Sequence, residues 1–326
     1  MFKIALLGAG RIGKIHAANA MAHQALTLSH VVDPVAASAE ALAAETGAAV
    51  AALETVLADG GVDGVIVASS TDAHLDHCLA AAAAGKAIFC EKPLDMDLGR
   101  ARAAAAQLRD ARLFLGFNRR FDPSFRALKA RLDAGAAGAL ETLQITSNDP
   151  APPPVSYVKV SGGLFKDMAI HDFDMARWLL GEEPSEVFAW GSCLVDPAIG
   201  EAGDIDTART MLKTASGKLC VIANSRRSGF GYDQRIEAYG AAGMVRADNA
   251  TESTVQVWRE DGAAADRFQN FFLDRYADAY RAEMAHFADI LAGKAEPAIG
   301  YADGVAALAL AEAAAQSLKT GRPVSL

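Results

Sequence analysis

Asp167, His171 and Asp174 recur at spacings of four and then three residues, which on a helix places all three on one face. The stretch holding them, Leu164 to Leu180, is otherwise rich in large apolar side chains, and a polar stripe there is costly unless it faces a wet cleft. A carboxylate one turn from an imidazole orients the ring and favours its charged form, which suits a base that removes a hydroxyl proton. The same spacing also fits an amphipathic helix carrying a surface ion pair. A second chemical signal is Lys92 in Glu91-Lys92-Pro93-Leu94, directly after the apolar run Ala87-Ile88-Phe89-Cys90. A cation at the end of a buried strand can hold a substrate hydroxyl and stabilise a developing alkoxide. Pro93 fixes the backbone beside it, a cis peptide being one way to do so.

A third signal stands at the start of the chain. Gly8-Ala9-Gly10-Arg11-Ile12-Gly13 follows the apolar run Ile4-Ala5-Leu6-Leu7, so a buried strand passes through a Gly-x-Gly-x-x-Gly turn into a helix. The first glycine permits the tight turn, and the second lets a pyrophosphate approach the backbone. The third lets helix and strand pack closely, with the helix N-terminus facing the phosphates. The next apolar run, Leu28-Ser29-His30-Val31-Val32, ends in Asp33. A carboxylate there accepts both ribose hydroxyls of NAD and repels a 2′-phosphate. No lysine or arginine follows through Leu42, and Arg11 is the one residue placed to soften the preference for NAD over NADP. Further on, Ala68-Ser69-Ser70-Thr71-Asp72-Ala73-His74 ends another apolar run. Its hydroxyls either line the cofactor crevice or cap the next helix. Gly8, Gly10, Arg11, Ile12, Gly13, Asp33, Ser69, Ser70, Thr71, His74, Glu91 and Lys92 are therefore the candidate cofactor contacts.

The elements that must position these residues change character along the chain. Up to about residue 117, short continuous apolar runs (Ile4–Leu7, Leu26–Val32, Ala48–Ala51, Gly64–Ala68, Ala87–Cys90, Leu113–Gly116) alternate with alanine-rich helical stretches (Ala36–Thr46, Ala73–Ala84, Leu98–Arg109). Continuous apolarity implies strands buried on both faces, hence a doubly wound parallel sheet with ligands at its carboxyl edge. After a helix around Ser124–Ala134 the runs lengthen and alternate: Glu141–Ser147, Val187–Leu194, Thr207–Lys213, Leu219–Ser225, Arg235–Tyr239 and Thr254–Trp258. That pattern predicts a mostly antiparallel sheet with one face on helices and the other open to a partner subunit. One helix, Leu164 to Leu180, interrupts it, and Ala277–Leu291 and Asp303–Thr320 close the chain. The expected domains are residues 1–118 and 119–326.

Composition bounds the function. The 326 residues suffice for two cores. The chain is 52% hydrophobic, but the excess is alanine and no apolar run approaches the ~20 residues of a membrane span. A net charge of −9 without a basic cluster argues against nucleic acid and anionic membranes as partners. Cys78, Cys90, Cys193 and Cys220 are widely spaced and read as buried thiols, and the seven histidines form no metal-ligand spacing. With no signal-peptide pattern at the start, a cytoplasmic location is expected.

The glycine turn, Glu91-Lys92-Pro93, Asp167-x-x-x-His171 and Gly116-Phe117-Asn118-Arg119-Arg120-Phe121-Asp122 together resemble the glucose–fructose oxidoreductase/inositol dehydrogenase/rhizopine catabolism family. Asn148-Asp149-Pro150, Asp167 to Gly181, Ser225-Arg226-Arg227 and Gly231-Tyr232-Asp233-Gln234 are most similar to its inositol branch. The resemblance implies a Rossmann domain, an open-faced β-sheet domain and tetramers built through the sheet. It implies NAD-dependent oxidation of a polyol, with myo-inositol converted to 2-keto-myo-inositol. Another cyclitol or a pyranose, or an inactive NAD-binding sensor, stands as the alternative. By position, Lys92 would touch substrate and nicotinamide, His171 would accept the proton, and Asp167 would be its partner. Asn118, Asp149, Asp174 and Tyr232, together with Lys92 and His171, would contact polyol hydroxyls. The final helix is expected to pack back against the first domain.

Overall fold

The computed structural model describes residues 1–326. The first part of the chain alternates six strands, β1 (Phe2–Leu7), β2 (Leu26–Val32), β3 (Ala49–Val50), β4 (Gly64–Val67), β5 (Ala87–Glu91) and β6 (Leu113–Gly116), with helices α1 (Arg11–Ala22), α2 (Ala36–Thr46), α3 (Leu53–Ala58), α4 (His74–Ala83), α5 (Leu98–Ala103) and α6 (Ala105–Leu108). Next come α7 (Pro123–Asp133), β7 (Leu140–Asn148), α8 (Val155–Val158), α9 (Gly163–Asp167) and α10 (Ile170–Leu180). Then follow β8 (Pro184–Ser192), α11 (Pro197–Glu201), β9 (Thr207–Thr214), β10 (Leu219–Ser225), β11 (Asp233–Gly240), β12 (Gly243–Ala247), β13 (Gln256–Arg259) and β14 (Gly262–Ala265). The chain ends with α12 (Phe272–Arg275), α13 (Ala277–Leu291), α14 (Tyr301–Thr320) and β15 (Val324–Ser325).

Two compact units result: Met1–Phe121 with Ala279–Leu308, and Asp122–Asp278 with Ala309–Leu326. In the first, six parallel strands run in the order β3-β2-β1-β4-β5-β6. The order reverses beside β1, the place where such sheets open a crevice for ligands at the strand ends. Residues Ile4 to Leu7, Val65 to Val67 and Ala87 to Cys90 are fully buried, as continuous apolar runs covered on both faces should be. Phe89 packs on Phe114 and on Phe287 of α13, with ring centroids 4.8 and 5.7 Å apart. Gly64 leaves room for this helix, because a Cβ there would stand 3.0 Å from Phe287 and 3.1 Å from Leu291.

In the second unit seven strands run β12-β11-β7-β10-β9-β8-β15, antiparallel except for the parallel pair β7–β10. One face carries Val187, Leu212, Ile222, Ile145 and Ile236, all buried. The opposite face lines up Phe188, Met211 and Val221 across β8, β9 and β10, and Leu219, Thr142, Tyr239 and Met244 across β10, β7, β11 and β12. That face is open, with Trp190 64% exposed. The alternating runs thus form the open-faced, mostly antiparallel sheet that the sequence suggests.

Several elements depart from the sequence reading. The hairpin partners β12 and β14 and the closing strand β15 were not expected, their runs being too short or too exposed to show a period. The helix expected from Leu164 to Leu180 is two helices, α9 and α10. At the join the Ala169 N–H reaches back to the Leu164 carbonyl, 2.9 Å away and five residues earlier, a wide turn that adds a residue to the helical phase. No helix of the protein is long and apolar enough to cross a membrane.

Candidate active site

In the first unit the glycine turn is built by close approach. Gly8 has φ +104°, and a Cβ there would lie 2.3 Å from the Ala68 carbonyl oxygen; a Cβ on Gly13 would lie 2.0 Å from that of Gly8. Neither position tolerates a side chain. Around Gly10, by contrast, a Cβ would meet nothing within 4 Å, and the exposed Arg11 follows as the first residue of α1, with Ile12 partly covered behind it. An open glycine at a helix N-terminus suits a pyrophosphate. Asp33, at the end of β2, accepts the Ala9 N–H at 2.7 Å through one carboxylate oxygen and the Val35 N–H at 2.8 Å through the other. Its carboxylate is thereby fixed beside the turn. The residues present fit a dinucleotide.

In the loop after β4 the helix starts carry no side-chain caps: Ser70 stands before the short turn Thr71–Ala73 and Ala73 before α4, and neither contributes one. The Ser70 hydroxyl bonds Asp72 instead, which holds that carboxyl below its ordinary value. Ser69 Oγ meets His77 Nδ1 at 3.0 Å. His74 is buried, with Nδ1 2.8 Å from the Pro93 carbonyl and Nε2 3.1 Å from the Ser69 carbonyl, so both ring nitrogens already face backbone. Glu91 is directed at α1, its Oε1 2.7 Å from His16 Nε2. Lys92 is half-buried at the end of β5 and joined to Pro93 by a cis peptide. Asn118 is buried just beyond β6, and its Oδ1 has no hydrogen-bond partner, an orphaned acceptor.

In the second unit the parallel register of β7 and β10 sets Asn148 beside Ser225, and β11 enters with Asp233 paired to Asn148. Asp149, Arg226 and Tyr232 therefore gather at one end of the sheet. Asp149 donates its N–H to the Ser225 carbonyl at 2.9 Å, and its carboxylate lies 3.8 Å from the Arg226 guanidinium. Arg226 is only 1% exposed. Its other terminal nitrogen donates to Asp167 Oδ2 at 3.2 Å, while the Tyr157 hydroxyl donates to Oδ1 at 2.9 Å. Tyr157 is delivered by α8, after the ordered loop Pro150–Pro154. The Arg226 N–H bonds the Asp206 carbonyl at 2.8 Å. Burial alone would raise the Asp206 carboxyl, but N–H donors from Leu194, Asp196 and Val195 outweigh it and hold it at about 2.

Asp167 ends α9 and His171 lies in the first turn of α10, so the single helical face expected from their spacing is replaced by a helix junction. Asp174 is fully buried, 3.8 Å from Arg177, which itself grips Glu183 at 2.6 Å. The buried Tyr232 packs edge-on against Tyr276, centroids 5.9 Å apart. The structure thus brings Asp149 and Asp167 together through Arg226. Sequence reasoning singled out the run containing Arg226 and gave that residue no role; its position just past a strand end was the available signal.

Residues 2–118 match the oxidoreductase family with an NAD-binding Rossmann fold, and residues 125–246 match the GFO/IDH/MocA C-terminal domain. The chain is 46% identical to an inositol 2-dehydrogenase of Rhizobium meliloti, covering 99% of both chains. It is 44% identical to a myo-inositol 2-dehydrogenase of Thermotoga maritima, covering 99% of this chain and 98% of the relative. A crystal structure of a myo-inositol dehydrogenase from Corynebacterium glutamicum superposes with a TM-score of 0.95 at 43% identity, over 100% of this chain and 99% of that one. With the fold, the glycine turn and both domain matches in agreement, the chain belongs to the GFO/IDH/MocA family of NAD-binding oxidoreductases.

Proposed function

We propose that the protein is an NAD-dependent inositol 2-dehydrogenase that oxidises the axial hydroxyl of myo-inositol to 2-keto-myo-inositol. The observation that carries this reading is the full-length likeness to two inositol 2-dehydrogenases at 46% and 44% identity, with Lys92, Asp167 and His171 all present. When bound, NAD supplies the hydride acceptor.

The chain supplies the rest. The space at Gly10 and the α1 N-terminus receive the pyrophosphate, and Asp33, already fixed by two backbone donors, takes the ribose hydroxyls. His171 takes the proton of the reacting hydroxyl, with Asp167 as its anionic partner. Arg226 and Tyr157 fix the Asp167 carboxylate, so this partner is set before substrate arrives. Lys92 contacts substrate and nicotinamide, where its cation stabilises developing negative charge. Asn118, Asp149, Asp174 and Tyr232 contact the remaining hydroxyls.

The open apolar face of the second sheet, carrying Trp190, Met211, Val221 and Tyr239, supports assembly into a homotetramer through that face. Four free cysteines and an NAD-linked reaction fit a cytoplasmic enzyme. Initial rates with NAD on myo-inositol, scyllo-inositol, D-chiro-inositol and D-glucose test the substrate. The highest kcat/KM should fall on myo-inositol, and a higher value on any of the others reassigns it.

A further inference from the structure

Lys92 is flanked by two residues that are each held by a buried histidine. On one side, Glu91 Oε1 lies 2.7 Å from His16 Nε2. His16 is wholly buried in α1, its ring set edge-on to Phe89 and Tyr280 at centroid distances of 4.7 and 5.8 Å. Its Nδ1 has no hydrogen-bond partner, so the ring meets the Glu91 carboxylate through Nε2 alone. Gly116 on the neighbouring strand leaves room for the Glu91 carboxylate in this position, since a Cβ there would stand 3.3 Å from the carboxyl carbon. On the other side, the Pro93 carbonyl lies 2.8 Å from His74 Nδ1, and His74 Nε2 faces the Ser69 carbonyl at 3.1 Å. His16 sits on α1, which starts at the glycine turn, and His74 faces Ser69, which follows Ala68, whose carbonyl abuts Gly8.

The contacts close a ring running from the glycine turn through α1, His16, Glu91, Lys92, Pro93, His74 and Ser69 to Ala68 and back to Gly8. We propose that His16 and His74 are positioning residues for Lys92, tying the backbone on either side of it to the two loops that meet the cofactor. Neither histidine touches substrate; each acts by fixing where the lysine stands. Glu91 is accordingly a brace for Lys92. The inference rests on the reading that Lys92 works on the reacting hydroxyl. Its size follows from geometry, because misplacing a catalytic group by about 1 Å can cost ~10²-fold in rate.

The test uses the full-length enzyme with His16→Phe and His74→Phe, which keep a ring and remove its hydrogen bonds, and His16→Gln and His74→Gln, which retain a donor. Turnover on myo-inositol and NADH affinity by fluorescence are measured for each. The phenylalanine variants should lose about tenfold or more in kcat with NADH affinity within about twofold of wild type, and the glutamine variants should recover much of the loss. The same substitutions in a Lys92→Met background, assayed at high enzyme concentration, should cost nothing further. Losses that multiply in that background, or NADH affinity falling in step with kcat, overturn the proposal. If His16→Phe fails to fold, Glu91→Ala, which removes the partner of that ring, takes its place, and if His74→Phe fails, His74→Leu does, each with the same expected loss and the same overturning result. Full turnover by Lys92→Met alone is a different failure, that of the role given to Lys92 in the reaction.

Discussion

Arg226 donates to Asp167 across 3.2 Å from a guanidinium almost wholly removed from water, and the Asp167 side chain is 14% exposed. The partner of the candidate base is therefore itself held by a buried cation. Such a pair is costly to break from one side, since the remaining charge is left without its counter-ion. Asp167→Asn and Arg226→Met should each lower kcat on myo-inositol by about tenfold to a hundredfold, in line with the loss of one positioning contact. Because both act through one contact, the double variant should be little worse than the poorer single one. Fully multiplicative losses would show that the two residues act independently.

Glu283 on α13 is fully buried and neither carboxyl oxygen has a hydrogen-bond partner. Burial, reinforced by the charge of Glu91, pushes its carboxyl well above the ordinary value of 4.5. Unfolded, the group ionises near that ordinary value; folded, it keeps its proton to higher pH. Its contribution to stability is thus full below about pH 4.5 and is lost as pH rises towards the folded-state value. Glu283→Gln carries no proton to lose. Its thermal midpoint should match wild type near pH 4.5 and exceed it by several degrees at about pH 8. A constant difference across that range would place a charged carboxylate in the fold.

Asp33 spends both carboxylate oxygens on backbone donors at the glycine turn while standing at the end of β2. NAD should be preferred over NADP by at least ~10-fold in kcat/KM, about 1.4 kcal/mol. Asp33→Ala should erode that preference and also raise the KM for NAD, because the turn loses two anchors. Equal efficiency with both cofactors in the wild type would contradict the role of Asp33 and turn attention to Arg11.

Trp190 stands on the open face of the second sheet beside Phe188, their rings edge-on at 4.6 Å. Light scattering should report four times the mass of one chain, and Trp190→Glu should reduce it by placing a charge on the face proposed to join the subunits. A monomer at micromolar concentration in the wild type would remove the tetramer.

The legible part of this molecule is the part governed by local pattern. The turn Gly8–Gly13 needs glycine for reasons of backbone approach, so its residue types show in the sequence. The strands through Ile4–Leu7 and Ala87–Cys90 are buried on both sides and so are uniformly apolar. The helix junction at Met168 was not legible, because α10 is buried on nearly every side and offers no single apolar face whose break in phase would mark the join. Nor were the contacts of His16 with Glu91, of Arg226 with Asp167 or of Glu283 with its surroundings. Each joins residues far apart in the chain, and a single buried polar side chain carries no periodicity to announce its partner. His74 was read as a cofactor contact because it follows Ser69 in a loop at a strand end. That its two ring nitrogens face backbone carbonyls only the tertiary structure can reveal.

The central claim is hydride removal from C2 of myo-inositol with the proton taken by His171, and myo-inositol deuterated at C2 tests it directly. Incubated with NAD and the wild-type enzyme, it should yield NADH carrying the deuterium together with one equivalent of 2-keto-myo-inositol. His171→Ala should form both products about 10²–10⁴-fold more slowly with NAD affinity nearly intact. Deuterium released to water, product without labelled NADH, or undiminished turnover by His171→Ala would contradict the account.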